Sequence, residues 1–348
     1  MKERNYAFDF IRVISMLLVI VIHLSNYYCR GFSNLSNISY LGAVIWNALA
    51  RVAVPLFFML SGVLLINKEH NKDKYKERII KYTLILIIWS VIYYVWHYLF
   101  HNIKFNLPKD IFIHLFQPVS RHLWFMYPLI GIYIILPFIQ SMFKNITKQL
   151  ENLFLYLWII SSGGVYILRL ILSMFKYKVD IIYPIPIVQA TYYLGYFIAG
   201  YIIYNRIKDL KDTKKVSQYS LITLILTSLI TIILTYIISV INGGYYTSLF
   251  AYRSPLMMLS SMAVFILSVI HKDTLLKGKA VTILKKIVPY SFGIYLIHII
   301  FFNLLTNNIK VLNVISFIGI PIFSLLIFII SYIACVIIKK IPILKRII

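Results

Sequence analysis

Apolar runs of about 20 residues follow one another along nearly the whole chain, and they limit the folds open to it. A helix needs about 20 apolar residues to cross the hydrocarbon core of a bilayer. Runs of this kind lie near 8–28, 41–66, 82–101, 123–143, 152–173, 187–204, 219–241, 253–271, 287–306 and 314–338. They do not alternate apolar and polar residues as barrel strands do. The sequence therefore predicts an all-α, polytopic transmembrane helical bundle of about ten spans.

The composition leaves no room for a separate soluble domain. Hydrophobic residues make up 61% of the chain and charged residues 13%, whereas a soluble domain is roughly 25% charged. No polar stretch is long enough to fold alone. We therefore expect one integral-membrane domain over residues 1–348, with no appended soluble domain.

The distribution of positive charge predicts the orientation. The net charge is +24, and the Lys and Arg residues fall mostly in short loops between the apolar runs. With the N-terminus inside, inner segments carry 24 of them and outer loops carry seven. Positive loops stay in the cytoplasm and meet anionic lipid head groups, so both termini are expected there. No basic cluster interleaves with aromatic residues on a soluble module, which argues against nucleic-acid binding.

Disulfides and metal centres are not expected. Cys29 and Cys335 are the two cysteines, and they fall on opposite sides of the predicted membrane. Nearly all carboxylates lie in cytosolic loops, away from any pair of histidines.

The first span carries three ionisable residues, and such residues are expensive inside a bilayer. Asp9 and Arg12 are three positions apart and could pair on one helix face. His23 lies eleven positions after Arg12, about 20° from the same face and roughly 16 Å further along. An imidazole of ordinary pKa suits general-base work. The alternative is an arginine that extends to the interface and a histidine bonded to a neighbouring helix.

Two further spans contain an arginine near or within the apolar run. Arg51 follows Asn47 by four positions and lies near the middle of the second run, so it must face a partner or a wet cavity. Arg253 begins the eighth span, after an outer loop with two tyrosines. Ser61 and Gly62 are small residues, for which close helix packing is the expected role.

Cations and aromatic residues also gather at the ends of the third and fourth spans. Arg78 and Lys81 lie at the inner mouth of the third span, where they could hold a nucleotide phosphate or simply mark a cytoplasmic loop. Arg121, His122 and Trp124 open the fourth span and would suit contact with a sugar, although aromatic residues mark every membrane interface.

The ninth span contains a polar stripe. Ser291, Tyr295 and His298 are spaced by four and three residues and so share one helix face. A polar stripe must face protein or water rather than lipid. Two roles fit this stripe: hydrogen bonding between helices, or lining of a cavity.

Taken in order, these elements resemble the membrane acyltransferase-3 family of bacterial O-acyltransferases. The matching pieces are Asp9-x-x-Arg12 followed by His23, Pro55-x-Phe57-Phe58-x-x-Ser61-Gly62, His122-Leu123-Trp124-Phe125 and Ser291-Phe292-Gly293-Ile294-Tyr295-Leu296-Ile297-His298. The resemblance covers residues 5 to about 300.

The resemblance implies a ten-helix fold in a bacterial plasma membrane, with no permanently bound cofactor. Acetyl-CoA or another acyl-CoA would enter from the cytosol, and a carbohydrate or lipid-linked glycan hydroxyl would arrive from outside. His23 resembles the catalytic histidine and Arg12 the donor-side arginine, with Arg78 and Lys81 as further donor ligands. Arg51, Arg121, His122, Trp124, Arg253, Ser291, Tyr295 and His298 would contact the acceptor or line the cavity.

The chain departs from its relatives in two respects. Lys81 stands where members of that family often have a second arginine, so the two parallel hydrogen bonds that a guanidinium can donate to a phosphate are lost at this position. Many relatives carry an extra soluble domain, and without one this chain would act alone or with an envelope-biosynthesis partner. A transporter or exporter of a polar or lipid-linked substrate is the alternative function, and a non-catalytic subunit of a polysaccharide assembly is a third.

Overall fold

A computed structural model describes residues 5–68, 71–101, 113–114, 117–174, 186–272, 277–342 and 344–346. Within these ranges the regular structure is helical. The α-helices are α1 (Tyr6–Arg30), α2 (Asn37–Ala50), α3 (Ala53–Leu65), α4 (Lys72–His101), α5 (Met126–Phe143), α6 (Lys148–Trp158), α7 (Val165–Met174), α8 (Pro186–Ile207), α9 (Lys214–Ile241), α10 (Pro255–Ile270), α11 (Lys279–Ile287), α12 (Ser291–Asn308) and α13 (Ser316–Lys340).

The helices match the apolar runs of the sequence. Among the described residues, nine helical segments are long and apolar enough to cross a membrane. The predicted sixth span, 187–204, coincides with α8. The predicted polytopic helical bundle is confirmed, and the chain is a multi-pass membrane protein. The outer-loop cations Lys104, Lys109, Lys176 and Lys178, which helped to set the predicted orientation, lie outside the described residues.

The second span is two helices rather than one. α2 ends at Ala50, residues 51 and 52 form a turn, and α3 begins at Ala53. Pro55 explains the break, because proline has no N–H for the carbonyl of Arg51 and its ring collides with that carbonyl. The break leaves Arg51 at the end of α2, within the length of an otherwise continuous apolar span.

The fifth span is interrupted in a different way. Between α6 and α7 the chain forms a π-helix from Ile159 to Gly164, at the Ser-Ser-Gly-Gly sequence. Gly163 packs closely there, since an added Cβ would lie 3.1 Å from the Pro255 side chain. Single π turns of this kind are frequent at functional sites.

The described chain divides into two compact units. The first comprises Met1–Leu65 and Ile146–Tyr332, and the second comprises Ile66–Asn145 and Ile333–Ile348. In the first unit, α1 packs against α2, α3 and α12. In the second, α4 packs against α5, and the Tyr75 hydroxyl donates to the Ile134 carbonyl at 2.8 Å. The single-domain organisation drawn from the sequence stays a prediction.

Two glycines bring α3 and α8 into close contact within the first unit. A Cβ at Gly62 would overlap the backbone carbonyl of Phe197, and one at Gly200 would overlap the backbone of Met59. Small residues at such positions let helix backbones approach closely. The packing role expected for Gly62 is therefore confirmed.

Candidate functional site

The site is built around α1, which carries His23 in its C-terminal half. Asn5 caps the N-terminus of this helix, since its side-chain oxygen accepts the Ala7 N–H at 3.0 Å. His23 is half-buried, and its ring lies 5.2 Å from the ring of His298 and 6.1 Å from that of Phe302. The first and ninth predicted spans therefore meet at a pair of imidazoles.

His298 is held in one orientation beside His23. Its side chain is fully buried, and Nδ1 lies 2.7 Å from the Tyr295 carbonyl oxygen. A carbonyl only accepts, so Nδ1 carries the proton and donates it. Ser291 and Tyr295 are buried too, which places the whole polar stripe inside the protein rather than against lipid.

One turn after His23, Asn26 accepts hydrogen bonds from three different elements. Its side-chain oxygen is 2.9 Å from the Asn47 amide, 3.0 Å from the Arg51 guanidinium and 2.9 Å from the Tyr245 hydroxyl. Arg51 also donates to the Asn47 side-chain oxygen at 2.7 Å. We call Asn26, Asn47, Arg51 and Tyr245 the asparagine network.

The loop after α9 supplies the tyrosine of this network. The Tyr246 N–H donates to Ser239 at 3.0 Å, which fixes the loop against the end of α9. Burial raises the pKa of the Tyr245 hydroxyl above its usual value of 10. The hydroxyl therefore stays protonated at neutral pH and can donate to Asn26, while it accepts from Asn47 at 3.1 Å.

A cavity of about 300 Å³ borders the network at Arg51. Arg253 also lines it, together with Tyr192, Thr247, Phe250 and Tyr252. The Arg51 guanidinium lies 5.3 Å from the centre of the Phe250 ring, and that of Arg253 lies 5.9 Å from the Tyr166 ring. Aromatic faces attract guanidinium groups, so both cations have a favourable setting.

This arrangement provides the parts of a proton-transfer site. An imidazole can accept a proton at neutral pH, and here it lies one helical turn before Asn26, whose side-chain oxygen binds amide, phenol and guanidinium donors. Such donors can hold a polar substrate or stabilise developing negative charge. The geometry suits chemistry in which a hydroxyl is activated.

Comparison with protein families decides the class of the chain. The acyltransferase-3 family model, described as an acyltransferase domain, matches residues 5–340. The chain belongs to the acyltransferase-3 family. It therefore contains an integral-membrane acyltransferase domain, and the resemblance drawn from its motifs is confirmed.

Two curated relatives of this acyltransferase, both from Enterococcus faecalis, carry the name amino-acid racemase. One is 32% identical over 132 residues, which is 36% of this chain and 17% of the relative. The other is 24% identical over 174 residues, which is 47% of this chain and 23% of the relative. The matches thus span less than a quarter of either relative. No solved structure matches the acyltransferase.

Most of the predicted site residues of the acyltransferase fall in its first unit. His23 and His298 meet where α1 contacts α12, Ser291 and Tyr295 are buried on α12, and Arg51 and Arg253 line the cavity. His23 is not among the residues that line that cavity. This cavity therefore does not include all of the candidate residues, and a single cavity shared by them stays a prediction. Nearer the N-terminus of α1, Asp9 is buried and Arg12 half-buried, and their pairing stays a prediction.

The remaining candidates lie in the second unit. Arg78 is half-buried with its guanidinium 5.6 Å from the Tyr133 ring, while Lys81 is exposed on the same helix. Arg121 is exposed and Trp124 half-buried in a 3₁₀ segment before α5.

His122 is buried, although its neighbour Arg121 is exposed. It is only 2% exposed, its Nδ1 lies 3.0 Å from the Ser120 hydroxyl, and its ring packs edge-on against Tyr93 at 4.8 Å. Packing explains this setting well, and the acceptor role stays a prediction.

Two residues of the acyltransferase site were not predicted from the sequence. Asn26 lies three positions after His23, a spacing that places both on adjoining parts of one face, so its helix position was a usable signal. Tyr245 lies 219 positions from Asn26 in sequence, in a loop, and no local pattern indicates that the two meet.

Proposed function

We propose that this acyltransferase moves an acyl group, with acetyl as the default, from cytosolic acyl-coenzyme A to a hydroxyl of a cell-envelope or exported carbohydrate. The enzyme would act in the bacterial plasma membrane. The observation that carries the proposal is the setting of His23, whose ring is half-buried against His298 and stands one turn from the asparagine network.

His23 acts as the general base in this proposal. One of its ring nitrogens accepts the proton of the acceptor hydroxyl as the oxygen attacks the thioester carbonyl. The carbon–sulfur bond then breaks, and the imidazolium returns the proton to the departing coenzyme A thiolate. The product is an ester, and the histidine is regenerated neutral.

His298 is a positioning residue for that base. Its proton is committed to the Tyr295 carbonyl, so the ring cannot turn freely beside His23. A base must be held within hydrogen-bond reach of the proton it removes. Asp9 is expected to act only as a structural partner near the start of α1.

Cations would hold the donor. Coenzyme A carries several phosphate charges, and an arginine binds phosphate by a charge-assisted, often bidentate, contact. We assign Arg12 to this role, and Arg78 and Lys81 are further candidates by their chemistry. On the acceptor side, Arg51, Arg253 and Tyr295 supply polar contacts, with Arg121, His122 and Trp124 as sugar-binding candidates.

No racemase activity is carried over from the curated relatives. Their name describes the whole proteins, and the segments that match this chain make up only 17% and 23% of their lengths. A role beside a partner that completes envelope-glycan synthesis is compatible with the proposal.

Mass spectrometry of envelope glycans tests the proposal. Cells that lack the gene are complemented with wild-type protein, with His23→Gln or with the control His271→Gln. His271 lies at the end of α10, where its Nε2 contacts the Ser217 hydroxyl at 2.7 Å. Loss of a general base lowers rates by about 10²–10⁴-fold, so only His23→Gln should leave the glycans without ester-linked acyl groups. Full acylation in the His23→Gln cells would contradict the mechanism.

A further inference from the structure

The cavity beside the asparagine network carries a positive charge that its own lining does not neutralise. Two guanidinium groups, those of Arg51 and Arg253, border a volume of about 300 Å³. None of the described residues that line this volume is acidic. Arginine stays protonated under all ordinary conditions, so the two charges are permanent.

The partners of Arg51 are neutral. Its guanidinium donates to the side-chain oxygens of Asn47 and Asn26, at 2.7 and 3.0 Å, and it lies against the Phe250 and Tyr252 rings. These contacts fix the direction of the guanidinium and leave its net charge in place. The asparagine network thus orients the Arg51 guanidinium without neutralising its charge.

Arg253, the second cation of the lining, is also held against an aromatic ring. Its guanidinium lies over the Tyr166 ring, which is itself fixed by a hydrogen bond from its hydroxyl to the Ser248 carbonyl. Arg253 is half-buried and lies two positions before Pro255, the first residue of α10. Both cations are therefore held by packing before any ligand arrives.

Two oriented guanidinium groups in one cavity are suited to a bidentate oxyanion. Phosphate and carboxylate match the planar fork of arginine, and a partly desolvated cavity strengthens the attraction. A neutral sugar would gain only ordinary hydrogen bonds there. The chemistry of the lining thus favours an anion over an uncharged carbohydrate.

We infer that the cavity between Arg51 and Arg253 binds an anionic group, a phosphate or a carboxylate, on the acceptor glycan. The inference rests on the proposed function and narrows its substrate class to acidic or phosphorylated glycans. Arg51 connects the cavity to α1 through Asn26, which follows His23 by one helical turn. An anion held at Arg51 would anchor a sugar whose hydroxyl reaches toward His23.

Binding of matched probes tests this inference. Full-length protein in phosphatidylcholine nanodiscs is titrated with radiolabelled glucose 1-phosphate, glucuronate and glucose in a scintillation-proximity assay. At low salt, we expect each anionic probe to bind at least about tenfold more tightly than glucose, because each gains charge-assisted hydrogen bonds. Equal binding of the three probes would overturn the inference.

Charge-removal variants locate the site. Arg253→Gln should abolish most of the preference for the anionic probes, and Arg51→Gln provides the same test should the first variant not fold. Lys310→Gln is the matched control, because it removes one charge from an exposed loop residue outside the cavity. A preference that survives both arginine substitutions, or that falls equally in Lys310→Gln, would contradict a specific cavity site.

Competition experiments distinguish an anionic glycan from coenzyme A and from a lipid head group as the ligand of this cavity. Coenzyme A and phosphatidylglycerol, added to the same assay, should leave glucose 1-phosphate binding nearly unchanged. Displacement by coenzyme A would make this the donor's phosphate site, and displacement by phosphatidylglycerol would make it a lipid head-group site. Either result would overturn the inference.

The outcomes also separate the inference from the proposed function. Protein that acylates glycans but binds glucose and glucose 1-phosphate equally overturns the inference alone. Protein that prefers glucose 1-phosphate but acylates no glycan overturns the proposed function alone. Retained probe binding in His23→Gln, together with lost acylation, supports both.

Discussion

At the scale of single residues, the site depends on polar side chains whose partners come from distant parts of the chain. Asn26 gathers donors from α2, from the turn that follows α2, and from the loop after α9. Buried polar groups of this kind are costly unless they are satisfied together. The asparagine network should therefore contribute to stability as a coupled unit rather than as separate bonds.

A double-mutant cycle measures this coupling. Asn26→Ala and Tyr245→Phe each remove one side of a 2.9 Å hydrogen bond. Interhelical hydrogen bonds in membrane proteins couple by about 0.6 kcal/mol on average and up to about 1.7 kcal/mol. We expect a value in this range for the free energy of unfolding, measured by titration of the purified protein with sodium dodecyl sulfate.

Tyr246→Phe is the matched control for that cycle. The contact of Tyr246 with Ser239 is made by its backbone N–H, so loss of the hydroxyl should show no coupling to Asn26→Ala. Equal coupling for both tyrosines would mean that the network is not the source of the effect.

Some of this residue-level detail could be predicted from the sequence. The four-residue spacing of Asn47 and Arg51 indicated a shared face, and the structure joins them at 2.7 Å. The stripe on α12 was predicted to avoid lipid, and its three side chains are buried. Contacts between residues far apart in sequence, such as Asn26 with Tyr245, depend on how the helices pack. The local spacing of polar and apolar residues does not reveal that packing.

At the scale of helices, breaks in the apolar runs place the functional side chains. Hydropathy gave the positions of the spans, because length and apolarity alone decide which segments can cross a bilayer. It did not show that Pro55 would divide the second span at Arg51, or that the fifth span would pass through a π turn. Both features depend on local backbone geometry, and hydropathy averaged over 20 residues does not report on that geometry.

The contact of α3 with α8 gives a prediction at this scale. Gly62→Ala places a Cβ against the Phe197 carbonyl, and a backbone carbonyl cannot rotate away. We expect the variant to lose about 1–3 kcal/mol of unfolding free energy, as is typical of overpacking. The midpoint of thermal unfolding in detergent, followed by intrinsic fluorescence, should fall accordingly.

Gly131→Ala is the control for Gly62→Ala. Gly131 is also in a helix, but an added Cβ there would meet no atom within 4 Å. Alanine has the better helix propensity by about 1 kcal/mol, so this variant should be as stable as the wild type or more so. Similar destabilisation of both variants would show that close helix approach at Gly62 is not the cause.

At the scale of the whole molecule, the charge asymmetry of the sequence predicts the topology. Inner segments carry 24 Lys and Arg residues against seven in the outer loops, and such an imbalance orients membrane proteins. Fusions at Asn34 and Asn242 should give active alkaline phosphatase, which works outside. Those at Lys72, Asp209 and Lys277 should give fluorescent protein that matures inside. Two or more fusions in the wrong compartment would contradict this orientation.

The central proposal is that His23 acts as the general base when an acyl group passes from a cytosolic thioester to a glycan hydroxyl. Inside-out membrane vesicles test it most directly, because acyl-CoA labelled in its acyl group then reaches the cytoplasmic face alone. With wild-type protein and with His271→Gln, label should appear in the glycan fraction and be released by mild alkali, as esters are. With His23→Gln, transfer should fall by at least about 100-fold. Equal transfer by wild-type and His23→Gln vesicles would contradict the account.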